Sequence, residues 1–168
     1  MTISMHAASA PVLKRSLTAL AAILDKAAAH CAACNITESA MLQARLFPDM
    51  FAFAKQVQVA ADFAKSGVAR LAGVEPPRFE DTEQTFAELK ARVEKTIAYI
   101  ETFTPGQIDG SEDRQVSYMM GKYPIDMKGQ AYLLGFILPN FFFHYTTAYD
   151  LLRHNGLAVG KGDFIGRG

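Results

Sequence analysis

The chain has no tryptophan, two cysteines, four histidines and no surplus of either charge. Two cysteines as close as Cys31 and Cys34 cannot staple a disulfide framework, so the fold must rest on a core. Seventeen basic side chains balance seventeen acidic ones. Nucleic-acid binding needs a basic excess or stripe, and none is expected here. Near-zero net charge lowers the barrier to self-association, and a homodimer is the expected state. Long apolar runs are missing too. The richest, Tyr132 to Tyr149, is broken by Gly135, Pro139, Asn140 and His144, so no membrane span is expected. The N-terminus lacks a charged start followed by a long apolar block, and the expected location is cytoplasmic. No G-x-S-x-G, no phosphate-cradling glycine loop and no paired Glu-x-x-His occurs.

What the chain has is helical periodicity. Half of its 168 residues are apolar, enough for one domain over residues 1–168. Leu13, Leu17, Leu20 and Leu24 recur at helical spacing behind Ser9 and Pro11, predicting a first helix that Asn35 ends. Thr37 caps a short segment. A second helix is predicted from Pro48 to Ala72, with Val57, Ala61, Ala64 and Val68 on its apolar stripe and Gly73 as its stop. Pro76 and Pro77 mark an extended linker. Asp81 or Thr82 should cap a third helix with Phe86, Leu89, Val93 and Ile97 facing inward. Glu88, Lys90, Arg92, Glu94 and Lys95 read as its solvated face. Period-two alternation around Gly121-Lys122 predicts a small β-hairpin, with Pro124 at an edge. A fourth helix runs from Gly129 to Asn155, kinked at Pro139, before a glycine-rich irregular tail.

Chemistry concentrates in that last helix. Asn140 and His144 lie one turn apart in a stripe with Leu133, Phe136, Thr147 and Leu151. A polar pair among phenyl rings needs partners, because an unpaired buried amide costs about 1–3 kcal/mol. The pair could bond internally, or bind a metal or ligand from the bundle centre. On the second helix, Gln56 and Gln58 occupy opposite shoulders of the apolar stripe, so one of them, but not both equally, should meet the fourth helix. His30-Cys31-Ala32-Ala33-Cys34 contains a C-x-x-C, but it closes a helix, where the dipole opposes a thiolate. It reads as structural.

The segments Leu42 to Leu46, Pro48-Asp49-Met50, Gln56-Val57-Gln58, Gly135-Phe136, Pro139-Asn140-Phe141, His144 to Tyr149, Leu152 to Gly156 and Asp163-Phe164 together resemble the bacterial domain-of-unknown-function family 1993. That family is similar to the DinB and YfiT-like group of metalloenzyme-type bundles. The resemblance implies an all-α, DinB-like up-down four-helix bundle with the hairpin inserted before its last helix. It further implies three histidine ligands for a divalent metal, one on the second helix and two on the last. His144 matches one of these positions and Asn140 another. The second helix offers Gln56 or Gln58 instead of histidine, so the metal site is expected to be degenerate and its affinity weak or lost. The resemblance leaves molecular function unknown. Three readings stay open: a metal- or histidine-dependent hydrolase or thiol transferase, a non-catalytic module for a small apolar ligand, and a dimeric interaction protein.

Overall fold

Helices form where the apolar spacing predicts them, and their ends differ where loops fold back. The computed structural model describes residues 3–167. After a short α1 (Met5–Ala8), the bundle consists of α2 (Ala10–Ala33), α4 (Phe53–Leu71), α5 (Phe86–Glu101) and α8 (Leu138–His154). Shorter pieces connect them: α3 (Glu38–Leu42), α6 (Pro105–Ile108), the hairpin β1 (Gln115–Met120) and β2 (Tyr123–Lys128), α7 (Gly129–Tyr132) and a closing α9 (Lys161–Phe164).

Cross-helix pairs fix the directions. Lys90 meets Asp25 at 2.8 Å and Lys14 meets Glu101, so α5 runs antiparallel to α2. Phe53 packs on Phe86, and Asp62 pairs with Arg92, so α4 and α5 run parallel. His144 meets Gln56 near the start of α4, and Ile137 meets Gly67 near its end, so α8 returns antiparallel to α4. The order is up, down, down, up. Parallel neighbours need a connection as long as the helix itself. Residues 72–85, at up to about 3.3 Å each, easily reach back along the roughly 28 Å of the 19-residue α4.

This linker corrects two expectations. Asp81 and Thr82 cap nothing, because Thr85 caps α5 in a reciprocal capping box with Glu88. Arg92, read as solvated, is 4% exposed. Its guanidinium holds Glu83 at 3.0 Å, Asp81 at 3.0 Å, Asp62 at 3.1 Å and the Glu80 carbonyl at 2.9 Å. The returning linker covers it, which helical periodicity alone cannot reveal.

α4 begins at Phe53, not at Pro48. The Phe53 N–H donates to the Ala44 carbonyl at 2.9 Å, and Arg45 binds the Met50 carbonyl, so residues 44–52 fold across the end of the bundle. Pro139 produces no simple break. A π-helical turn, Leu133–Ile137, precedes it, with the Leu138 N–H donating to the Leu133 carbonyl. Widening the turn accommodates the proline ring, which would otherwise meet the carbonyl four residues back. The hairpin pairs Val116 with Met127 and Met119 with Pro124, turning at Gly121 with φ +60°. At Gly129, a Cβ would lie 2.0 Å from the Ser111 carbonyl oxygen, so only glycine fits where the hairpin enters the last helix.

The tail is ordered rather than irregular. Asp163 pairs with Lys26 and accepts the Gly160 N–H at 2.7 Å, while Tyr145 donates to the Phe164 carbonyl at 2.6 Å. Met5–Ala33, against expectation, is long and apolar enough by length and composition to cross a membrane. Its apolar stripe of Leu13, Leu17, Leu20 and Leu24 is buried in the bundle core.

Candidate functional site

Gln56 and Gln58 are both buried, and the structure separates them. Gln58 turns toward the linker and donates to Glu83 at 2.9 Å. Gln56 turns toward α8. Its Nε2 donates to the Phe51 carbonyl at 3.2 Å, which points its Oε1 at His144 Nδ1, 2.6 Å away. An amide oxygen can only accept, so Nδ1 carries the proton and Nε2 keeps its lone pair. His144 is 9% exposed. Burial holds its pKa below the ordinary histidine value, and the imidazole is neutral at pH 7.

Aromatic rings fix the plane of the imidazole. Phe63 stacks on one side, with centroids 5.8 Å apart and 14° between planes, and Phe51 stacks at 6.2 Å and 25°. Phe143 adds an edge at 5.2 Å. Among the described residues, Nε2 has no protein hydrogen-bond partner. The residue opens onto a recess of about 240 Å³ with Asp49, Met50, Phe51, Gln56 and Phe143 around it. The arrangement supplies one oriented, neutral hydrogen-bond acceptor on a residue that lines this recess.

Asn140 does not join it. Its Nδ2 donates to the Phe136 carbonyl of its own helix at 2.7 Å, and the residue is only half-buried. Phe63 was legible in principle, lying seven residues after Gln56 on the same helix face. Phe51 was not, because its position depends on the fold of residues 44–52. In the C-x-x-C, Cys31 is buried with its thiol pKa raised by burial, and Cys34 is exposed, 3.7 Å from His30 Nδ1.

The family model described as Domain of unknown function (DUF1993) matches residues 5–165. The chain belongs to this family. A crystal structure of a DinB family member protein from Shewanella denitrificans is similar, at 36% identity and TM-score 0.89, over 96% of this chain and 91% of that one. No curated protein matches. The bundle is therefore of the DinB type, and the divalent metal expected from the sequence resemblance has to be weighed against the donors present. The donor set here does not suit one. Among the described residues, no three His, Cys, Asp or Glu side chains come together as ligands. Gln56 Oε1 is engaged by His144, and Asn140, its Nδ2 held by the Phe136 carbonyl, offers only a neutral amide oxygen. One imidazole nitrogen, even with the Asp49 carboxylate on the same recess, is too little for a tight zinc or nickel site.

Proposed function

We propose that this member of the family binds a small molecule directly through His144, with no metal between them. The observation that carries the reading is the Gln56 bridge. Held by the Phe51 carbonyl, it fixes the imidazole tautomer and leaves Nε2 as an unpaired acceptor on a residue of the recess. The complementary ligand presents a hydroxyl, a protonated carboxyl or an amide N–H on an apolar body. At about 240 Å³, the recess falls below the roughly 300–1,000 Å³ of drug-sized sites, which favours a one-ring or short-chain compound. A neutral imidazole in this place can also take a proton from the bound donor. Enzymatic use would require no further residue for that one step.

Histidine-selective ¹⁵N spectra test the proposal. The expected result is the Nδ1–H tautomer for His144, with the Nε2 signal shifting saturably on titration with a simple phenol. His144→Phe should abolish binding while retaining the fold. Elemental analysis of untagged protein should find equal, negligible divalent metal in wild type and variant. An Nε2–H tautomer, or metal that follows His144, would reject the reading.

A second reading concerns partners. Phe51 and Phe143, on the lip of the recess, are 48% and 56% exposed, and Leu46 and Phe47 in the adjoining loop are exposed as well. This face would suit a second copy of the chain. Light scattering showing a strict monomer at all concentrations would remove it.

A further inference from the structure

α4 has a third face, pointing neither into the core nor toward Arg92. Val59, Phe63, Ser66 and Arg70 follow at steps of three and four, and each is half-buried. The tip of the hairpin roofs them, leaving a cleft of about 700 Å³ between α4, residues 118–121 and Tyr132. From these residues we infer a second binding site, for a small carboxylic acid with an apolar body.

Charge selects the ligand. Two cations and one anion line the cleft, and the anion is committed elsewhere. Asp62 accepts from Lys65 at 2.7 Å and from Arg92 at 3.1 Å. Arg78 is paired with Glu80 at 3.0 Å. Arg70 is the least committed. Its guanidinium lies flat on the Tyr118 ring, 3.6 Å from the centroid, and its ion-pair partner, Glu75, is 86% exposed and 3.9 Å away. A guanidinium stacked by its face keeps its N–H edges in the open: one interacts with the Tyr132 hydroxyl, and the remaining N–H groups can match a carboxylate in a two-point contact. The Tyr118 and Tyr132 hydroxyls, 3.4 Å apart, share one hydrogen bond and leave one proton between them as a further donor.

Shape selects the body. Phe63 and Ile137 form the apolar floor, and Met119 and Met120 of the hairpin are exposed side chains that can close over a ligand. With Arg78 paired to Glu80, one loosely paired guanidinium beside apolar walls suits a monocarboxylate better than a phosphate, which would call for several cations. Phe63 also stacks on His144, so the two sites share a ring as their dividing wall.

Phenylacetate is the probe, with phenylacetamide and inorganic phosphate as controls. Methionine-methyl spectra should show saturable shifts of Met119 and Met120 with phenylacetate alone. Calorimetry should show at least tenfold weaker binding in Arg70→Gln. Met120→Glu, at an exposed position, should weaken binding similarly through like-charge repulsion and serves if Arg70→Gln fails to fold. His144→Phe should leave phenylacetate affinity unchanged, which separates this site from the His144 recess. The inference is overturned by absent shifts up to the solubility limit, by equal Met119 and Met120 methyl shifts with the amide or with phosphate, or by wild-type affinity in Met120→Glu. It is equally overturned if His144→Phe weakens binding as much as Arg70→Gln does.

Discussion

Two sides of α4 bury polar groups, and they do so to opposite ends. Toward the linker, Gln58, Asp62 and Lys65 join Lys55, Arg92, Asp81 and Glu83 in a network where three cations face three anions. Toward α8, Gln56 meets a single histidine among rings, and one lone pair of that histidine is left for a visitor. A buried polar cluster whose charges are matched internally holds the chain together. A buried polar pair with an unused acceptor at a recess is a site. The difference lies in the count of partners rather than in burial, since Gln56 and Gln58 are buried alike.

The comparison can be broken most forcefully at Arg92. Arg92→Leu should cost about 3 kcal/mol in urea unfolding, near the lower end for a broken buried ion pair, because Asp62 and Asp81 keep partial solvent contact. The His144 tautomer should not change. If His144 loses its Nδ1–H state in that variant, the two sides are not independent.

Gln56→Leu comes next. It strands the Nδ1–H and the Phe51 carbonyl, at about 1–3 kcal/mol for unsatisfied buried groups, and should leave the imidazole as a mixture of tautomers by ¹⁵N spectra. An unchanged tautomer would mean that the glutamine is not what orients the ring.

A smaller effect is carried by pH. Because the His144 pKa is depressed in the folded state, the unfolded chain takes up a proton first as pH falls below about 6.5. Stability from this group is therefore full above that value. It declines as pH drops toward the folded pKa, and His144→Phe should lack that part of the slope. Identical pH profiles for the two proteins would count against a buried neutral imidazole.

Asn140→Ala should do least, at about 0.5–1 kcal/mol for one local hydrogen bond, with ligand binding at His144 intact. Loss of binding equal to that of His144→Phe would restore Asn140 to the site.

The helical core was legible because the apolar period is a local property. Leu89 and Val93, for instance, are buried as their spacing predicts. The hairpin was legible from alternation about Gly121, the last helix from its stop at Gly156. His144 was legible as a polar residue in an apolar stripe. Arg92 was misread because its spacing places it outside the stripe, and only the returning linker covers that position. Asn140 was grouped with His144 because both share a helix face, but a side-chain amide can reach its own helix's carbonyl four residues back and needs no other partner.

By itself, the sequence determined the number and kind of the main helices, the hairpin, the family, and the place where a buried histidine had to lie. Tertiary structure alone decided which glutamine meets that histidine, which nitrogen is left bare, and which arginine is sealed under a loop. Periodicity reports one helix at a time, whereas a hydrogen bond across 88 residues, from Gln56 to His144, exists only once two helices and a folded loop have met.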